Sequence, residues 1–113
     1  MDDGELKQYF AGRLPARVAE VERARDEARD AGWTGQPLRT LHRLAHSLAG
    51  AAATFGFPEE AARARRIEKL LEGGEAPGEA AQREIAEILE GLKTTAPAPT
   101  GSAPAAPGSK SGT

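Results

Sequence analysis

The sequence predicts an all-α fold: an up-down antiparallel four-helix bundle with a short extra N-terminal helix. Three observations lead there. Apolar residues recur at helical spacing in four consecutive segments. Pro15, Pro37, Pro58 and Pro77 stand about twenty residues apart, each at the head of one such segment. Proline suits a first helical position, because its missing N–H would have no intrahelical partner there. No segment has the alternation or the β-branched density of a strand.

Taken in order, Glu5 to Ala11 forms the short leading helix, with Leu6, Tyr9 and Phe10 on one side. Pro15 opens the first main helix, in which Leu14, Val18 and Val21 recur and are continued by Ala24, Ala28 and Ala31. Its other side is charged, with Arg17, Glu20, Arg23, Asp26, Glu27 and Asp30. Gly32 stops it, and Trp33 to Gln36 form the connection. The second helix runs from about Pro37 to Thr54 and ends at Gly56. The third starts at Pro58 with Glu59 and Glu60 in its first turn, where carboxylates favour the positive end of the helix dipole. Ala61, Ala64, Ile67, Leu70 and Leu71 are its apolar positions, and Gly73 and Gly74 close it. The fourth, from about Pro77 to Leu92, buries Ala81, Ile85, Ile88, Leu89 and Leu92.

Residues 1–93 therefore make one helical domain. Residues 94–113 form an Ala/Pro/Gly/Ser/Thr-rich tail whose only charge is Lys110. A segment without bulky apolar side chains cannot offset its ordering entropy, so the tail is expected to be disordered, a linker or a cloning remnant. The formal net charge of −2 argues against nucleic acid or an anionic membrane as the main partner. With no cysteine, disulfides, thiolate chemistry and cysteine zinc sites are excluded. The N-terminus lacks the basic and apolar regions of a signal peptide, and no apolar run approaches the ~20 residues that span a bilayer. A cytoplasmic monomer is expected.

Chemistry concentrates in the second helix, TLHRLAHSLAGAAATFGF from Thr40 to Phe57. With successive residues 100° apart, Leu41, Ala45, Leu48 and Ala52 share one core direction, and His46 falls about 125° from it, on the exposed side. Gly50 and Ala53 flank His46 one and two turns later, with Ala49 beside them. Arg39 and Arg43 lie on the same side one to two turns earlier. A glycine inside a helix costs about 1 kcal/mol relative to alanine, so Gly50 needs a reason. Two stand side by side: another surface closing over His46, or a plain helix-packing contact. His42, one turn before His46, falls nearer the core and reads as a half-buried packing residue. A metal shared by the two histidines would need further ligands, and no HExxH motif or acidic cluster supplies them. Arg63, Arg65 and Arg66 on the third helix read first as a solvated face paired with Glu59, Glu60 and Glu68. A basic docking rim is their second reading.

HSLAGAAATFGF, His46 to Phe57, resembles the signature of histidine-containing phosphotransfer (HPt) domains. That signature has a hydrophobic residue two after the histidine, glycine four after it and glycine ten after it, here Leu48, Gly50 and Gly56. The TFGF ending is also similar to the phosphotransfer domain of chemotaxis kinases. The resemblance covers about residues 5 to 93. It departs at Ala49, where the family commonly has lysine, and at Ala51, where it often has serine; Arg43 or the partner then supplies the positive charge. The resemblance implies that His46 accepts a phosphoryl group from a phospho-aspartyl receiver domain or a histidine kinase and passes it to another receiver. Arg39, Arg43, Ala49, Gly50 and Ala53 would form the docking patch. The family expectation places Mg²⁺ with the receiver, so no intrinsic cofactor or metal is implied, and the chain acts as a phosphocarrier without turnover of its own.

Two other readings are kept: a phosphotransfer fragment of a chemotaxis-type kinase, and a helical scaffold in which His46 is incidental. A sensor-kinase dimerisation helix fits less well, since Ser47 follows His46 where those kinases carry an acidic residue. No Gly-rich nucleotide-binding segment occurs either.

Overall fold

The computed structural model describes residues 3–95, and they form four α-helices: α1, Asp3–Asp30; α2, Gly35–Thr54; α3, Pro58–Leu70; and α4, Glu79–Thr95. Each packs on its neighbours in sequence, and α1 closes the ring against α4. Side-chain pairs tie the helices together across three of these contacts. His46 meets Glu68 across α2 and α3, Arg66 meets Glu84 across α3 and α4, and Lys93 meets Glu22 across α4 and α1. Leu14, Leu41, Leu48, Ile67, Leu71, Ile85, Leu89 and Leu92 are fully buried between the four helices. Each such side chain contributes about 1.5–3 kcal/mol through burial.

The expected short N-terminal helix is helical but not separate: α1 runs unbroken through Pro15. Proline inside a helix loses one backbone hydrogen bond and crowds the carbonyl four residues back, costing about 3 kcal/mol. The helix tolerates this because both sides of Pro15 are anchored. Phe10 and Leu14 before it, and Val18 and Val21 after it, are all buried in the one core. Elsewhere the prolines behave as caps. Pro58 is the first residue of α3, and Pro37 lies within the first turn of α2. Pro77 is buried ahead of α4, its carbonyl accepting from Gln82 Nε2 at 2.9 Å. At the far end α4 runs past its expected limit at Leu92 to Thr95, and the Thr94 side chain turns back so that Oγ1 donates to the Glu90 carbonyl at 3.0 Å. From residue 96 on, the expected disordered tail lies outside the described residues.

Two turns set the position of α2, and both use the same device. At its start, Gly32 at φ +74° ends α1, with Gly32 N–H donating to Arg29 and Trp33 N–H to Ala28. At its end, Gly56 at φ +87° does likewise, with Gly56 N–H donating to Ala53 and Phe57 N–H to Ala52. This paired closure satisfies the last free carbonyls of a helix and requires a left-handed residue, which favours glycine. Trp33 is itself left-handed at φ +61°, a strain its burial holds in place.

Candidate functional site

The site is the outward face of α2. His46, Gly50, Ala53, Arg39 and Arg43 are all exposed there, as the helical wheel places them. Ala49 is not: it is 1% exposed and belongs to the core. The wheel assumed one narrow core direction, whereas α2 is covered on two sides, by α1 and by α3. Ala49 turns toward the α3 side and is lost from the docking patch. Arg39 is also held back, donating to Gln36 Oε1 through Nε and Nη2 at 3.3 and 3.1 Å on the first turn of its own helix.

His46 keeps its side chain 69% exposed while its Nδ1 sits 2.6 Å from Glu68 Oε2. Glu68 itself is only 15% exposed, so the carboxylate is the fixed member of the pair and the imidazole leans on it. A carboxylate offers acceptors only, so this contact calls for a proton on Nδ1, and in the neutral ring the lone pair then lies on Nε2. That is the tautomer of a nucleophilic Nε2. From the sequence alone Glu68 reads only as a salt partner for the arginines of α3. The sequence does carry a signal for this contact: His46 and Glu68 are each eleven residues from Phe57, so folding the α2–α3 hairpin about that residue brings them level.

His42 is half-buried, as expected of a packing residue, and its Nε2 is buried without a hydrogen-bond partner among the described residues. It does not converge with His46 on a shared metal, and no group of three or more His, Asp or Glu among the described residues is arranged to hold one. On α3, Arg66 pairs not with an acidic neighbour of its own helix but with Glu84 of α4, through Nε at 2.6 Å and Nη2 at 3.1 Å. This ion pair lowers the Glu84 carboxyl below its ordinary value and raises the Arg66 guanidinium. The TFGF run has a packing explanation: Phe55 and Phe57 lie 5.1 and 5.4 Å from the Phe10 ring, closing the end of the bundle.

Gly50 resolves differently. A Cβ built there meets no atom within 4 Å, so the glycine serves no packing contact among the described residues. Gly56 is a backbone requirement of the turn, and Gly50 is not a backbone requirement at all.

A four-helix bundle with an exposed, carboxylate-supported histidine beside an unneeded glycine matches a known design. The model of the Hpt domain matches residues 5–95. The chain belongs to the Hpt domain family. Hpt domains are phosphocarriers with a histidine phosphotransfer role in phosphorelays, interacting there with receiver domains and kinases. No curated protein and no solved structure gives a significant match to the chain. No helix among the described residues is long and apolar enough to cross a membrane.

Proposed function

We propose that His46 is the phosphoacceptor of this Hpt domain, taking a phosphoryl group from a phospho-aspartyl receiver or a histidine kinase and delivering it to a second receiver. The contact of His46 Nδ1 with Glu68 carries this reading. The Nε2 lone pair attacks phosphorus, an N–P bond forms, and the P–O bond to the donor aspartate breaks, releasing its carboxylate. No proton need move, because Nδ1 already holds its own. The ring becomes a phosphorylated imidazolium, and Glu68 accepts a charge-assisted hydrogen bond from its Nδ1–H. Delivery reverses these steps on the next aspartate. Phosphoryl transfer of this kind depends on positioning and charge neutralisation more than on covalent help from the protein. Magnesium, in this reading, arrives with the receiver.

The test is direct. The protein is incubated with phosphorylated receivers, or with a cognate kinase and ATP, and the label is examined for the acid lability and alkali stability of phosphohistidine. Wild type labels and His42→Gln labels comparably, while His46→Gln does not. Equal labelling of His46→Gln would refute the site assignment.

A further inference from the structure

Beside His46 the seam between α2 and α3 is closed, but toward the start of α2 it opens. A cavity of about 420 Å³ lies there, between the first turns of α2 and the end of α3. That size falls within the range of about 300–1,000 Å³ usual for small-molecule sites. Leu38 and Leu71, both buried residues of the core, give it apolar walls. The turn after α3 borders it with Gly73 and Gly74, both left-handed, which carry no side chain to fill it.

The polar groups around this cavity are unmatched. Arg39 and Glu72 both border it, and among the described residues neither forms an ion pair, with the other or with any third group. Arg39 donates to the neutral amide oxygen of Gln36, which leaves its charge uncompensated. A cation and an anion that border one space without meeting leave room for a guest carrying both signs. His42 also lines the cavity, and its Nε2 is buried without a hydrogen-bond partner among the described residues. A buried polar atom left in that state costs about 1–3 kcal/mol. Gly35 borders the same space at the head of α2, where Thr34 gives its hydroxyl to the Ala31 carbonyl and no acid stands in the first turn. Thr34 therefore does not cap the amides of that turn, whose positive dipole end favours an anion.

We infer that this cavity binds a small zwitterion with an apolar side chain, an α-amino acid of the leucine kind. Its carboxylate meets Arg39 and the head of α2, its ammonium meets Glu72, and its side chain lies against Leu38 and Leu71. An ammonium has three donors, so a modest rotation of the His42 ring lets Nε2 accept a second of them. Charge-assisted hydrogen bonds at the two ends fix the orientation, and the apolar walls select the side chain. Each polar group that the chain leaves unmatched thus gains a partner. The site stands apart from the proposed phosphoacceptor, because it uses neither His46 nor its chemistry.

The test follows the backbone amide shifts of the full chain by NMR during titration with three compounds. Leucine carries both charges, leucinamide lacks the carboxylate, and isocaproate lacks the ammonium. Leucine is expected to shift the amides of Gly35, Gly73 and Gly74 and to saturate them with a Kd of about 1 mM or below. Leucinamide and isocaproate should each bind at least about tenfold more weakly, through loss of a hydrogen bond to a charged group. Arg39→Gln and Glu72→Gln, each checked for helicity by circular dichroism, should weaken leucine by the same factor, whereas His46→Gln binds it like the wild type. Leucine that leaves the three glycine amides unmoved overturns the inference. So does leucinamide or isocaproate binding as tightly as leucine, since the cavity then does not read both charges. Wild-type affinity in Arg39→Gln or Glu72→Gln, or its loss in His46→Gln, puts the ligand elsewhere on the molecule and overturns it too. None of these outcomes bears on labelling at His46, which tests the phosphorelay reading separately.

Discussion

On its α3 side, α2 is closed. Ala49 is buried, His42 is wedged half inside, and His46 is drawn onto the Glu68 carboxylate at 2.6 Å. On its α1 side the same helix is open, with Ser47 bordering a groove whose other wall is Gly12 and Ala16. One residue of rotation, from His46 to Ser47, separates a fixed side chain from a bare surface. A phosphocarrier needs both properties, because the nucleophile must be aimed while the surface around it stays free for successive partners. In the function proposed for this chain the two tasks fall to opposite flanks of one helix, so substitutions on each flank should fail in different ways.

The largest expected effect lies on the closed flank. His46→Gln should abolish labelling both by receiver and by phosphoramidate, a small donor that needs no docking. Glu68→Gln comes next. It keeps the shape and an acceptor but loses the charge that stabilises the imidazolium, and losing a charge-assisted bond worth about 1.4 kcal/mol slows transfer about tenfold. Both donors should be slowed, since the defect lies in the nucleophile and not in docking. Nitrogen NMR supplies the second readout: in Glu68→Ala the His46 ring should lose its preference for the Nδ1–H tautomer. If neither rate nor tautomer moves, Glu68 is a bystander.

Gly50 sharpens the contrast, because activity and stability should part there. Alanine at position 50 removes the glycine penalty of about 1 kcal/mol and meets no atom within 4 Å, so the melting temperature should rise by a few degrees. A larger side chain, as in Gly50→Leu, should obstruct receiver-supported transfer while leaving the phosphoramidate reaction near wild type. Loss of both reactions in Gly50→Leu would mean that the glycine serves the histidine itself, and the two flanks would no longer be separable.

How much of this was legible in the sequence follows the same division. The four helices were, because Pro58 and the glycines at 32 and 56 mark boundaries by local geometry alone. The exposed His46, Gly50 and Ala53 were too, since one helix and a 100° step suffice to place them. What failed needed a second helix. Pro15 reads as a start until the anchoring of Phe10 and Leu14 to the same core as Val18 is known. Ala49 reads as surface until α3 covers it. Glu68 reads as one of many acids until the hairpin register brings it level with His46, a register that the three-residue connection from Phe55 to Phe57 in fact determines. Arg66 reads as a partner for acids of its own helix for the same reason, and finds Glu84 on α4 instead.

The smallest effect concerns that last pair, and it tests whether stability and transfer are independent. Arg66 and Glu84 tie α3 to α4, away from both flanks of α2. The guanidinium holds the Glu84 carboxyl below its ordinary 4.5, mainly through their hydrogen bonds. A carboxyl whose folded value lies below its unfolded value stabilises the fold at pH above the unfolded value, and that contribution fades as pH falls through the folded one. Thermal melts of wild type and Glu84→Gln should therefore differ slightly at pH 7 and converge as the pH drops below 4. Screening by solvent keeps the difference small, because both groups are surface-exposed. Transfer rates at pH 7 should be identical in the two proteins. A Glu84→Gln variant that melts like wild type yet transfers slowly would show that the α3–α4 seam positions Glu68, and that the closed flank of α2 extends through α3 to the far side of the bundle.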